Sequence, residues 1–436
     1  MPTRISRRAG RLASVLALIL AACTLFPGTA GSEHRQAPAN ANANANANAN
    51  ASLSLSANAA APLPADDFYV PPSALPDGRP GDVIRSRKVE PGTPTPRALA
   101  DTWQVMYRST DALGKPHAVT ATVMVPKGGT PAARPIVGWG PGTQGPAFRC
   151  TPSRMIAKGA LYEQWVINAM LRAGYAVAVP DYEGYRPGPK TTYMVGKSLG
   201  PALIDAVRAA QRLPATGLSA DAPVAFRGYS QGGGAALWAG EFQPDYAPEL
   251  KLKGIVAGGV PANLMEVALP LNGRPGSGFL FYALIGLDHA YPELKFGDVL
   301  NDAGRAMVAD LEAGGCALEM INKYGNKPLS AYVTRSPLVD APWVARYTEN
   351  TLGGSPKIKV PVLQYHATQD ALVEPNQADA LHKQYCAQGV PLTWKTYDTT
   401  SHPPVADHLW PIQAANAEAM TYLADRFADR PATPNC

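Results

Sequence analysis

From residue 83 onward, short apolar runs rich in β-branched residues alternate with stretches whose apolar positions recur at helical spacing. The runs at 83–89, 103–108, 117–125, 135–139, 176–180, 223–226, 254–260, 360–365 and 392–397 read as strands. The stretches 161–172, 201–213, 375–388 and 411–427 read as helices. Three of these begin with a proline (Pro201, Pro375, Pro411), which suits the first helical position. Near-continuous apolar strands separated by helices imply crossover connections and a mostly parallel sheet, with antiparallel strands at the start. The expected fold class is α/β.

Before residue 65 the pattern is of another kind. Basic residues up to Arg11 precede an apolar run of eleven residues, 12–22, too short to cross a bilayer and right for an export signal over 1–23. Leu20-Ala21-Ala22-Cys23 resembles the lipobox of bacterial lipoproteins, in which Cys23 is lipidated and anchors the chain to a membrane. Gly28-Thr29-Ala30 offers the rival cleavage site, which gives a freely secreted or periplasmic protein. The lipobox is favoured, because a cysteine directly after a short apolar run has no other evident use. The alternating Ala-Asn tract at 39–51 cannot offset an ordering cost of roughly 1–2 kcal/mol per residue, so 24–64 reads as a disordered tether. What remains is one large folded unit, 65–436.

Charge and cysteines refine this picture. Arg4, Arg7, Arg8 and Arg11 of the leader account for all but one of the five net positive charges, which removes any electrostatic case for a nucleic-acid partner. Beyond Cys23 stand Cys150, Cys316, Cys386 and Cys436, an even number in an oxidising compartment. Two disulfides are expected, with three pairings open. No CxxC spacing suggests a metal, and no cofactor is implied.

The chemistry is declared at Gly228-Tyr229-Ser230-Gln231-Gly232. Forty glycines make a G-x-S-x-G match weakly specific by itself. Its setting is sharper, because a turn and a short buried strand precede it and Gly233-Gly234-Ala235-Ala236-Leu237 opens a helix behind it. Such an elbow holds Ser230 exposed, with glycines allowing close backbone approach. A serine hydroxyl needs a base and an acid, in chain order Ser, Asp, His for this architecture. Asp370 follows the 360–365 strand, and His402 follows the last strand directly, so these are taken as acid and base. His408 is assigned to a surface or capping role, His366 to shaping the site, Asp398 lies too near His402 in sequence, and Asp340 falls in an insertion. Oxyanion donors are expected from the Gln231 backbone N–H and from the glycine-rich loop 138–145, with Gln144 ahead of Thr143.

Taken together, Asp67-Phe68-Tyr69-Val70-Pro71-Pro72, Pro80-Gly81-Asp82-Val83-Ile84-Arg85 and Val179-Pro180-Asp181-Tyr182-Glu183-Gly184, with the Ser230 elbow, Asp370 and His402 in the places of its triad, resemble the secretory lipase family of α/β-hydrolases across the whole folded part. The resemblance implies a helical cap inserted at 261–355 between two core segments, 65–260 and 356–436. It also implies that Cys150, in Cys150-Thr151-Pro152-Ser153, pairs with Cys316 of the cap, leaving Cys386 to pair with Cys436. Leu264, Met265, Leu269, Phe279, Phe281 and Leu284 give the cap an apolar character that suits a lid over an acyl pocket. The implied activity is that of an exported, monomeric carboxylic ester hydrolase acting on lipid or other ester substrates without cofactor. A prolyl-oligopeptidase-like amidase and a polyester hydrolase on the same fold are the alternatives.

Overall fold

The computed structural model describes residues 67–354 and 358–436; the leader, the tether and Cys23 lie outside them. Nine strands form one sheet: β1 (Val83–Val89), β2 (Ala100–Thr110), β3 (Pro116–Pro126), β4 (Ile136–Gly140), β5 (Ala176–Pro180), β6 (Pro223–Tyr229), β7 (Lys251–Gly258), β8 (Val362–Ala367) and β9 (Leu392–Tyr397). Their spatial order is β1-β2-β3-β5-β4-β6-β7-β8-β9. The pairs among β1, β2, β3 and β5 are antiparallel, and every pair from β5/β4 to β8/β9 is parallel.

Period-two alternation explains how the parallel half is buried on both faces. Ile136, Val224, Phe226 and Ile255 point to the face covered by helices Gly196–Arg212 and Gln231–Tyr246. Their neighbours Val137, Ala225 and Val256 point to the other face, covered by Gln164–Arg172 and Asn416–Phe427. Two of the prolines stand elsewhere than at a helix start. Pro201 lies inside Gly196–Arg212, and Pro411 lies inside Ala406–Ala414, a helix separate from Asn416–Phe427.

Between β7 and β8 the chain builds the cap, whose helices include Ser277–Ala290, Asp302–Gly314, Ala317–Tyr324 and Ala341–Glu349. Phe281, Leu284, Met307, Leu311 and Trp343 make a core of its own, which also takes in Leu372, Val373 and Val405 from the loops below. Much of the cap's apolar character is therefore internal packing, while Leu269 is more than half exposed.

Two disulfides cross-link the fold. Cys150–Cys316 joins the segment behind β4 to the cap, Cα atoms 5.7 Å apart, and closes 166 residues; Cys386–Cys436 secures the C-terminus at 5.4 Å and closes 50. On chain-entropy grounds, replacing Cys150 and Cys316 by serine should lower stability by about 2–5 kcal/mol, and replacing Cys386 and Cys436 by about 1 kcal/mol less. Denaturant melts of the two double variants check this; a larger loss from the shorter loop would show that closure entropy is not what these links supply.

Candidate active site

Ser230 sits between the end of β6 and helix Gln231–Tyr246 with φ 58° and ψ −124°, a conformation that costs a non-glycine residue about 1–3 kcal/mol. The surroundings over-determine it. Its N–H donates to the Gly258 carbonyl at 2.9 Å, and the Gly234 N–H donates to its carbonyl at 3.0 Å. A Cβ on Gly228 would lie 2.1 Å from the Gly232 carbonyl oxygen, so the strand and the helix can turn this tightly only with glycine there. The serine is left half-buried at the C-terminal edge of the parallel strands.

Asp370 lies just beyond β8, its carboxylate buried. One oxygen, Oδ1, accepts the N–H groups of Leu372 and Val373 at 2.9 and 2.8 Å. The other, Oδ2, accepts His408 Nδ1 at 2.7 Å and lies 3.4 Å from His366 Nε2. Burial by itself would raise the Asp370 pKa; the His408 imidazole and its hydrogen bond, with His366 close by, overcome it and hold the carboxyl well below the usual range.

The histidine that meets the acid is therefore His408, which corrects the assignment of His402. His402 follows β9 in a loop, where its ring stacks on the half-exposed Trp410 at 4.8 Å and its Nδ1 lies 3.5 Å from Ser401 Oγ. The reason is the path after β9. Thr399 is buried and bonded to the acid loop, with its Oγ1 donating to the Gln369 carbonyl at 2.7 Å and accepting the Gln369 N–H at 3.0 Å. The chain then swings outward through His402 and returns only with the first turn of helix Ala406–Ala414, which carries His408 inward.

Asp407 locks this arrival. Its Oδ1 accepts the His408 N–H at 2.7 Å and its Oδ2 accepts the Ala371 N–H at 3.0 Å, so one side chain joins the histidine turn to the acid loop. Burial, then the nearby Asp370 charge, pushes the Asp407 carboxyl up to about 6. From the other side, the Tyr229 hydroxyl donates to the His408 carbonyl, and its ring lies 5.2 Å from the imidazole. Because Tyr229 immediately precedes Ser230, the same contact ties the histidine to the elbow. Asp407 and Tyr229 carry no motif of their own. The signal that could have found His408 is the Asp407-His408 pair itself, an acidic first turn with a histidine beside it.

Gln231 is the first residue of its helix, and its N–H is one of the donors a helix start leaves unpaired. The early loop rests against this turn, since a Cβ on Gly232 would touch both the Gly140 oxygen and the Pro141 carbonyl carbon. In that loop the Gly142 N–H is taken by Glu163 at 2.9 Å. The Gln144 side chain folds back, its Nε2 on the Gly142 carbonyl at 3.2 Å, and its own carbonyl accepts the Ala317 N–H from the cap at 2.8 Å. Thr143 Oγ1 is paired with the Tyr193 hydroxyl at 2.8 Å. The backbone N–H groups of Thr143 and Gln144 make no backbone hydrogen bond among the described residues. A cleft of about 430 Å³ is lined by Asp370 and Asp407, but neither Ser230 nor the early loop lines it, so it is not where an acyl group would meet the serine.

The geometry can now be set beside known proteins. Residues 152–435 match the family model described as secretory lipase. Lipase 10 of Candida albicans is 31% identical, over 86% of this chain and 83% of its own. A probable inactive lipase of Mycobacterium tuberculosis is 32% identical, over 85% and 84%. Among solved structures, Candida antarctica lipase A in its closed state superposes with a TM-score of 0.76 at 26% identity, covering 86% of this chain and 89% of that one. With an α/β-hydrolase sheet, a glycine-flanked elbow and a family match over most of its folded length, the chain belongs to the secretory lipase family.

Proposed function

We propose that the protein is an active, exported carboxylic ester hydrolase of the lipase/esterase type, working on acylglycerols or related esters through an acyl-enzyme on Ser230. The observation that carries this reading is the Asp370 Oδ2 to His408 Nδ1 bond of 2.7 Å beside a serine held in a strained turn. That bond fixes the imidazole tautomer, leaving Nε2 to accept a proton.

In the first half-reaction Ser230 Oγ adds to the ester carbonyl carbon while its proton passes to His408 Nε2. The resulting oxyanion is met by the N–H of Gln231 and by an N–H of the early loop, at Thr143 or Gln144, each donor contributing about 3–4 kcal/mol. Collapse breaks the bond to the alcohol oxygen, which takes the proton from His408. Water then repeats the sequence on the acyl-enzyme and releases the acid. One relative bears the name of an inactive lipase; here the serine, the acid and a bonded histidine are all present, which favours turnover.

Export rests on the leader pattern and on two disulfides. Lipidation of Cys23 would anchor the enzyme, as a monomer, at the end of a long polar tether. The test is a series of p-nitrophenyl esters from short to long acyl chains with matched anilides and a triglyceride emulsion alongside, followed by mass mapping of a phosphonate-labelled sample. Ester cleavage faster than anilide cleavage, and a phosphonate adduct on Ser230, are expected. Anilide turnover equal to ester turnover, or an adduct elsewhere, overturns the reading.

A further inference from the structure

Glu163 is a carboxyl that the reaction above does not use. It precedes helix Gln164–Arg172 and is almost wholly buried, yet it reaches across to the loop that supplies the second oxyanion donor. Its Oε2 accepts the Gly142 N–H at 2.9 Å. The fit is close enough that a Cβ on Gly142 would stand 2.9 Å from Glu163 Oε1 and 2.3 Å from the Tyr162 hydroxyl, so glycine is required where the carboxyl meets the loop. From the far side the Tyr182 hydroxyl donates to the Pro141 carbonyl at 3.0 Å. Two consecutive residues, Pro141 and Gly142, are thus held by side chains from two different elements just before Thr143 and Gln144.

We propose that Glu163 is a positioning residue for acyl transfer: by binding the Gly142 N–H it turns the following peptides so that the Thr143 and Gln144 N–H groups face the oxyanion, and it does so as a neutral carboxyl. This rests on the proposed acyl transfer at Ser230. The groups facing Glu163 are the Trp139 indole and the hydroxyls of Tyr162, Tyr182 and Tyr365, which carry no positive charge. The buried Arg227 guanidinium lies over the Trp139 ring, 5.6 Å from its centre. Burial accordingly pushes the Glu163 carboxyl up to about 8, against the Gly142 hydrogen bond and Trp139, which pull it down. Below that pH the group is a hydrogen-bond acceptor without charge. Above it, a carboxylate stands beside donors meant for another anion, and repels the charge that the transition state develops.

The deciding experiment is the pH profile of kcat on a soluble p-nitrophenyl ester for the wild type and Glu163→Gln, whose amide oxygen keeps an acceptor but cannot ionise. The wild type should lose rate as pH rises through about 8, while Glu163→Gln should stay flat there and match wild-type kcat near pH 7 within about threefold. Glu163→Ala, which removes the acceptor, should lose roughly tenfold to a hundredfold in kcat with KM nearly unchanged. If the Glu163→Gln profile superimposes on that of the wild type, the proposal is overturned, whether or not the alanine variant folds. Phosphonate labelling of Ser230 in the same samples separates the two failures: a labelled serine with superimposed profiles sinks only the role of Glu163, and an unlabelled wild-type serine sinks the acyl-enzyme itself.

Discussion

His408→Ala should lower kcat on a soluble ester by about four orders of magnitude or more, whereas His402→Ala should leave it within about twofold. The contrast follows from position. His408 is buried and bonded through Nδ1 to Asp370, so truncating it removes the base and leaves the acid with the Leu372 and Val373 N–H groups and His366 as partners. His402 lies in a loop against the half-exposed Trp410, and its loss costs a ring contact remote from the acid. Residues that act as a unit are not additive, so combining Ser230→Ala with His408→Ala should cost little more than either alone. Steady-state kinetics of the four variants decide the matter. A His402→Ala enzyme as crippled as His408→Ala would return the base to the loop after β9.

The misplaced histidine shows which part of the fold a sequence can carry. The doubly covered strands β4, β5 and β8 are buried along their whole length and were legible as apolar runs. Strand ends were less so: β7 begins at the exposed Lys251 because the β6 ladder extends to Pro223, and that is a property of the partner. The serine elbow was legible because its geometry demands glycines at fixed offsets. The base was not, since Pro411 reads as a helix start and so pushes His408 into the approach, while the real helix begins at Ala406 and accommodates Pro411 in its interior. Asp407, His366 and Glu163 take their roles from partners that fold to them: Ala371 lies 36 residues from Asp407, and Gly142 lies 21 from Glu163. His366, read as shaping the site, sits 3.4 Å from the acid it supports.

Gly232→Ala should be severely damaging, and Gly234→Ala, two residues along the same helix, should be harmless. A Cβ at Gly232 would come within 1.8 Å of the Gly140 oxygen and 2.6 Å of its carbonyl carbon. Both obstacles are backbone at the end of β4, with no flexible side chain to give way, so the helix and the strand must part by more than an ångström. Overpacking a tight site ordinarily costs about 1–3 kcal/mol, and this contact should reach or exceed the upper figure. The displacement also separates Gln231 at the helix start from the loop that begins at Pro141, the proposed source of the other oxyanion donor. Any folded Gly232→Ala protein should therefore lose kcat by about two orders of magnitude, the cost of one oxyanion donor. At Gly234 the nearest atom to an added Cβ is Pro261 Cγ at 3.6 Å, an ordinary contact, and alanine gains up to about 1 kcal/mol of helix propensity. Thermal melts and kcat of the two variants form a matched pair. If Gly232→Ala melts with the wild type and keeps its rate, the close approach of elbow to β4 is not what positions the catalytic donors.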